Sequence, residues 1–216
     1  MTTVYNPESR ERRVARVQLE ANCVRINLEK PYTFASGIKS PIYCDNRALL
    51  SYPDARDAIA NAYLDMIREQ GIEYDVLAGV ATAGIPWAAW ISAEMDLPMV
   101  FVRLAAKDHG KNNQIEGILK KNSKAVVVED LISSGQSTLG VVKAVREQDV
   151  EVLGCISIFT YGFKKAKDAF DKENVELKTL TNLDELLRIA VEEKFLDKNE
   201  KELVTAWVKN PEDWGK

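Results

Sequence analysis

Between residues 75 and 159 the chain alternates short β-branched runs with longer stretches of helical period, and that alternation limits the folds open to it. "DVLAGV" (75–80), "MVFV" (99–102), "AVVVE" (125–129) and "EVLGCISIF" (151–159) read as strands that are apolar along nearly their whole length. A strand wet on one face alternates apolar with polar residues, so unbroken apolar runs belong to strands covered on both faces. Helical patterns over about 85–95 and 137–147 lie between them, as the crossovers between parallel strands require. The predicted fold is α/β, with a central, mostly parallel sheet flanked by helices.

The flanks extend this frame without dividing it. "PDARDAIANAYLDMIREQG" (53–71) repeats apolar residues at helical spacing through Ala58, Ile59, Ala62, Tyr63, Met66 and Ile67 and stops at Gly71. "VELKTL" (175–180) reads as a further strand, and Asn182 as the N-cap of a helix over 182–193. The amphipathic end of the chain, with Trp207 and Trp214, reads as a packed terminal helix. No repeat or Gly/Ser-rich linker is visible, so residues 1–216 are read as one domain. The run from Val76 to Ala93 carries no charge over 18 residues, but Gly79, Gly84 and Pro86 break it into strand, turn and helix.

One junction has an unusual composition. "KAVVVEDLISSGQSTLG" (124–140) is an apolar strand that ends on Glu129 and Asp130 and passes into small hydroxyl residues and glycine. Ligands of parallel α/β sheets bind at the carboxyl ends of the strands. Ser133, Ser134, Gly135, Gln136, Ser137 and Thr138 would present N–H groups and hydroxyls at a helix start, which suits an anion. Two carboxylates do not bind phosphate, so they address another part of the same ligand, such as sugar hydroxyls or a metal ion. An ordinary strand-loop-helix junction, its acids merely capping the next turn, would have the same composition.

Composition excludes several alternatives. A net charge of −4 lacks the basic excess of nucleic-acid binders. Cys23, Cys44 and Cys155 are odd in number, far apart and without a CxxC pair, which fits neither a disulfide framework nor a zinc site and suits a reducing cytoplasm. The N-terminus lacks the apolar stretch of a secretory signal. Neither GxxxxGK[ST] nor GxGxxG occurs. Residues 103–117 gather Arg103, Lys107, His109 and Lys111, with the chain's one histidine, among glycine and asparagine. That stretch is too polar for a core and reads as a mobile cationic loop or as an ordinary solvated one.

"VVVEDLISSGQST" is similar to the diphosphoribosyl-binding signature of type I phosphoribosyltransferases. "FASGIKSPIYCDNR" (34–47) and "VRLAAKDHGKNNQIEG" (102–117) resemble the orotate phosphoribosyltransferases of that family, so the likeness covers most of residues 30–160. It implies the type I fold with a small hood, built from about residues 1–50 and the C-terminal segment. It also implies transfer of a phosphoribosyl group from 5-phospho-α-D-ribose 1-diphosphate (PRPP) to orotate, with Mg²⁺, in pyrimidine biosynthesis. A purine-type transferase is disfavoured by the SGIKSP segment, and a PRPP-binding regulator by the acidic charge balance.

Residue roles follow from the resemblance. Glu129 and Asp130 would hold the ribose hydroxyls, and the run Leu131, Ile132, Ser133, Ser134, Gly135, Gln136 and Ser137 would clasp the sugar's phosphate. Arg103, Lys107 and His109 would meet the diphosphate, with Lys107, His109 and Asp130 catalytic. Lys39 and Tyr43 would face orotate, joined by Ser133, with Ser36 and Ile42 nearby. No residue is read as a metal ligand, because Mg²⁺ would be carried mainly by the substrate. "GVATAGIP" (79–86) would form the diphosphate loop, with a cis peptide near Ala81 and Thr82. The cationic loop would be shared across a cytoplasmic homodimer. The chain departs from well-known members at Ala35, Ala83 and Leu104, where they carry lysine, and near Tyr161 and Gly162, where they carry an arginine that touches orotate.

Overall fold

The computed structural model describes residues 8–34, 37–71, 73–104, 114–211 and 214. The chain begins with α1 (Arg10–Glu20), β1 (Val24–Ile26), β2 (Tyr32–Thr33), β3 (Lys39–Ser40) and β4 (Ile42–Cys44). A short 3-10 helix (Asn46–Ser51) leads to α2 (Pro53–Gln70), β5 (Val76–Val80), α3 (Gly84–Met95), β6 (Met99–Val102) and β7 (Ile115–Glu116). There follow β8 (Lys124–Ile132), α4 (Gln136–Arg146), β9 (Glu151–Thr160), α5 (Lys164–Lys172) and β10 (Leu177–Asn182). Two helices close the chain, α6 (Leu183–Glu192) and α7 (Lys198–Lys209). These elements form two compact units, residues 59–180 and residues 1–58 with 181–216.

In the unit of residues 59–180, one six-stranded sheet has the order β10-β9-β8-β5-β6-β7. β5 runs parallel to both β6 and β8, and β8 runs parallel to β9. β7, at the edge, pairs antiparallel with β6. The apolar runs are the central strands, as predicted: β5 is buried throughout, and Ala125, Val126, Val127 and Val128 of β8 are buried. Leu139, Val141, Val142 and Val145 give α4 its buried face, and Val141, Val142 and Val145 are fully shielded beside Val127 in one cluster. The uncharged run resolves into β5, a turn and α3, and no helix among the described residues is long and apolar enough to cross a membrane.

One strand end and one added helix differ from the sequence reading. The strand expected to end at Glu129 continues to Ile132, because pairing with β9 persists through Glu129↔Ser157, Leu131↔Phe159 and Ile132↔Thr160. The acids therefore stand in a paired strand, and the loop begins beyond them. Helix α5 is an addition to the predicted set; only Ala166 and Phe170 of its nine residues are buried, too few to make an apolar stripe.

The unit of residues 1–58 and 181–216 holds two small antiparallel pairs, β1 with β4 and β2 with β3. α1 packs on α6, and Arg12 and Arg16 reach Glu192 and Glu193 at 2.6 and 2.5 Å. Asn182 caps α6 as predicted, its side chain accepting the Glu185 N–H at 3.0 Å. The terminal helix is packed: Trp207 is fully buried, and its Nε1 donates to the Lys39 carbonyl at 2.8 Å.

Candidate active site

Parallel pairing brings the carboxyl ends of β5, β6 and β8 to one edge of the sheet, with Gly79 opposite Val128 and Val80 opposite Val102. Three segments leave from that edge. Residues 81–83 turn into α3, Arg103 and Leu104 follow β6, and residues 133–135 turn into α4. The Ala81–Thr82 peptide is cis, where the resemblance placed one.

Both helices begin without a side-chain cap. Ala83 before α3 and Gly135 before α4 make none, and the Gln136 N–H reaches Ser134 Oγ only at 3.5 Å. Backbone N–H groups at a helix start carry partial positive charge and have no partner within the helix, so two such starts at one sheet edge suit a ligand with separate phosphates. Ser133 and Ser134 are half-buried, and Gln136 and Ser137 are exposed. Leu131 is half-buried, whereas Ile132 is 1% exposed and its side chain belongs to the core. Ile132 therefore has only its backbone to offer a ligand.

Gly135 closes this turn under two constraints. Its φ is +75°, and a Cβ there would lie 2.6 Å from Phe170 Cε2 on α5. Gly135→Ala combines left-handed strain with a contact that Phe170 must yield to, at a cost of about 2 kcal/mol. We expect a lower melting temperature, read by thermal denaturation, and weaker use of the phosphorylated substrate.

The two acids have different surroundings. Asp130 is partly exposed, while Glu129 is 7% exposed. Glu129 Oε1 accepts the Asp130 N–H at 3.0 Å, and Oε2 accepts the Thr138 hydroxyl at 3.4 Å. Its carbonyl accepts the hydroxyl of Tyr63, which is fully buried on α2, at 2.6 Å. Burial, and then the charge of Asp130, hold the Glu129 carboxyl well above the usual carboxylate range. Thr138, read with the outward hydroxyls, is 1% exposed and turned inward onto Glu129. Tyr63 was legible only as an apolar position of a helix, since nothing in the sequence names the partner of its hydroxyl.

Arg103 lies over the Phe101 ring, 5.6 Å from its centroid, with Glu116 at 3.3 Å. Lys107, His109 and Lys111 lie outside the described residues, as do Ala35 and Ser36. In the other unit Lys39 is exposed on β3. Tyr43 is half-buried beside Tyr32 and Phe34, with ring centroids 5.6 and 6.4 Å away. Ile42 is fully buried, so it packs. Tyr161 is buried and stacked on Phe163 at 5.4 Å.

The sheet edge, with its acidic strand and paired helix starts, gathers groups that suit a phosphorylated sugar. Comparison with known proteins agrees: the family described as "Phosphoribosyl transferase domain" matches residues 46–191. The chain is 50% identical over 206 residues to the orotate phosphoribosyltransferase of Listeria monocytogenes, covering 95% of this chain and 99% of that one. It is 47% identical to that of Coxiella burnetii, covering 93% and 96%. The crystal structure of orotate phosphoribosyltransferase from Aeropyrum pernix superposes with a TM-score of 0.73 at 25% identity, covering 85% of this chain and 99% of that one. The chain belongs to the phosphoribosyl transferase family, with the type I fold, on its orotate phosphoribosyltransferase branch.

Proposed function

We propose that the chain transfers the phosphoribosyl group of PRPP to orotate, giving orotidine 5′-phosphate and diphosphate for UMP synthesis. The observation that carries this reading is the meeting of Asp130 and the uncapped start of α4 at one sheet edge. Identity of about half to orotate phosphoribosyltransferases over nearly the whole chain supports orotate as the acceptor.

The sugar's phosphate takes the N–H groups from Ser133 to Ser137, and the turn after β5 takes the diphosphate. Glu129 and Asp130 accept hydrogen bonds from the ribose hydroxyls. Departure of diphosphate leaves positive charge on the anomeric carbon and gathers negative charge on the leaving group, as in glycoside cleavage. Arg103, with Lys107 and His109 by resemblance, supplies cations where that negative charge develops, which lowers the barrier by several kcal/mol. Orotate provides the nucleophile, so none of the cysteines is required; all three are buried. Lys39, Tyr43 and Ser133 remain the proposed orotate contacts.

Among the described residues no group of three or more His, Cys, Asp or Glu could hold a metal ion. Mg²⁺ prefers oxygen and retains several non-protein ligands, so the phosphate and hydroxyl oxygens of PRPP would carry it without a dedicated protein site. When bound, the ion spreads the negative charge of the diphosphate. We place the enzyme in the cytoplasm as a homodimer that shares its 103–117 loop, and read residues 1–50 and the C-terminal segment as a hood on one domain.

The test is direct. The chain is incubated with PRPP, Mg²⁺ and orotate, and the loss of orotate absorbance is followed. Turnover confirms the proposal. Turnover of adenine or guanine alone would make it a purine-type transferase, and PRPP binding without turnover a regulator.

A further inference from the structure

The turn proposed for the sugar's phosphate has few bonds of its own. Residues 133–135 lead from β8 into α4 without a side-chain cap, and Gly135, at a φ of +75°, has no Cβ to narrow its conformations. A backbone this unrestrained would have to be ordered by each phosphate that bound, at a cost in affinity. Its shape is imposed from outside instead.

The restraint comes from the segment that follows β9. The Tyr161 N–H donates to the Ile132 carbonyl at 3.2 Å, which fixes the residue before Ser133. At the other end of the turn Gly135 is buried against the Phe170 ring, so close that a Cβ would meet Cε2 at 2.6 Å and Cδ2 at 3.2 Å. Phe170 is 2% exposed. Its own mount is stationary, because the end of α5 is tied to the last turns of α4. Arg146 donates to the carbonyls of Glu173 and Asn174 at 3.0 and 3.4 Å, and Lys143 reaches the Glu173 carboxylate at 3.1 Å. The Val175 N–H donates to the Phe170 carbonyl at 3.1 Å.

We propose that Phe170 is a positioning residue of the PRPP site: its ring, seated on Gly135, holds the 133–135 turn in the shape that offers N–H groups to the sugar's phosphate before the ligand arrives. This deepens the PRPP-site reading and rests on it. Phe170 is buried, so it acts through Gly135 and not on the substrate. A side chain that only filled volume would be felt in stability and in both substrates alike. One that shapes the turn is felt in the use of the phosphorylated sugar.

Phe170→Leu keeps an apolar side chain of shorter reach, and Phe170→Ala leaves the turn unsupported. Val145→Ala, the control, opens a void in the same cluster at the opposite end of α4. PRPP binding is measured by calorimetry, and KM and kcat with each substrate varied, below the melting temperature of every variant. Freeing about one residue's backbone weakens binding about tenfold, so we expect Phe170→Ala to raise the PRPP Kd and KM by about tenfold and Phe170→Leu by about threefold, with the orotate KM unmoved. Val145→Ala should lower the melting temperature and leave the PRPP Kd within about twofold of the natural value.

Amide hydrogen exchange reads the turn without turnover. The N–H groups of residues 133–137 should exchange faster in both Phe170 variants than in the natural chain or in Val145→Ala, and should slow again when PRPP binds. A double substitution isolates the contact. In Gly135→Ala the added methyl group meets the ring, so Phe170→Leu in the same chain should relieve part of the loss, and the two changes should fall short of additive.

Equal effects of Phe170→Ala and Val145→Ala on PRPP binding would overturn the proposal. So would losses shared equally by the two substrates, natural exchange over residues 133–137, or strictly additive losses in the double variant. Where Phe170→Ala fails to fold, Phe170→Leu carries the same comparison. If the natural chain binds PRPP but does not turn over orotate, the orotate assignment fails while calorimetry still decides the role of Phe170. If it does not bind PRPP, both readings fall.

Discussion

Asp130→Asn lowers kcat/KM for PRPP by about 100- to 1000-fold while the chain stays folded. Asparagine has the size of aspartate, so β8 keeps its pairing with β9; what goes is a charge and the ability to accept from two hydroxyls at once. Hydrogen bonds to charged groups contribute about 1.5–3 kcal/mol each, so losing two of them near the low end, about 3–4 kcal/mol, gives a factor of this order. In the proposed site the lost charge would also no longer face the carbon that becomes positive as diphosphate leaves. Stability should hold or rise, because the substitution removes the like charge that helps to raise Glu129. Steady-state kinetics with each substrate varied, beside a thermal melt, check both halves. Rates close to those of the natural chain would remove Asp130 from the site.

Gly84→Ala should produce the largest loss of stability. Gly84 opens α3, and a Cβ on it would lie 2.3 Å from the Val128 carbonyl oxygen and 3.3 Å from Glu129 Cα. Both atoms are backbone of β8, held between β5 and β9, so no side chain can turn aside. Relief requires the helix start to lift from the sheet. Overpacking costs about 1–3 kcal/mol where side chains yield, and we expect about 3 kcal/mol here, a fall of about 10 °C in melting temperature for a chain of this size. Because the displaced helix start belongs to the turn proposed for the diphosphate, the PRPP KM should rise as well. An unchanged melting temperature would contradict the close approach of α3 to β8.

The apolar strands were legible because burial on both faces leaves little room for polar residues, and Asn182 because its side chain satisfies a specific N–H. The acidic junction was legible as composition. The separate positions of Glu129 and Asp130 were not, because they depend on where the strand ends, and that is set by pairing with Ser157 to Thr160 on β9. The roles of Gly84 and Tyr63 are equally hidden, since each depends on a partner distant in sequence, the Val128 and Glu129 carbonyls.

A crystal structure of the chain with PRPP bound tests the central claim most directly. The account predicts the sugar's phosphate on the N–H groups of residues 133–137 and the ribose hydroxyls on the acidic pair, Glu129 and Asp130. PRPP seated away from the carboxyl end of β8, or a ribose with no contact to Asp130, would contradict it.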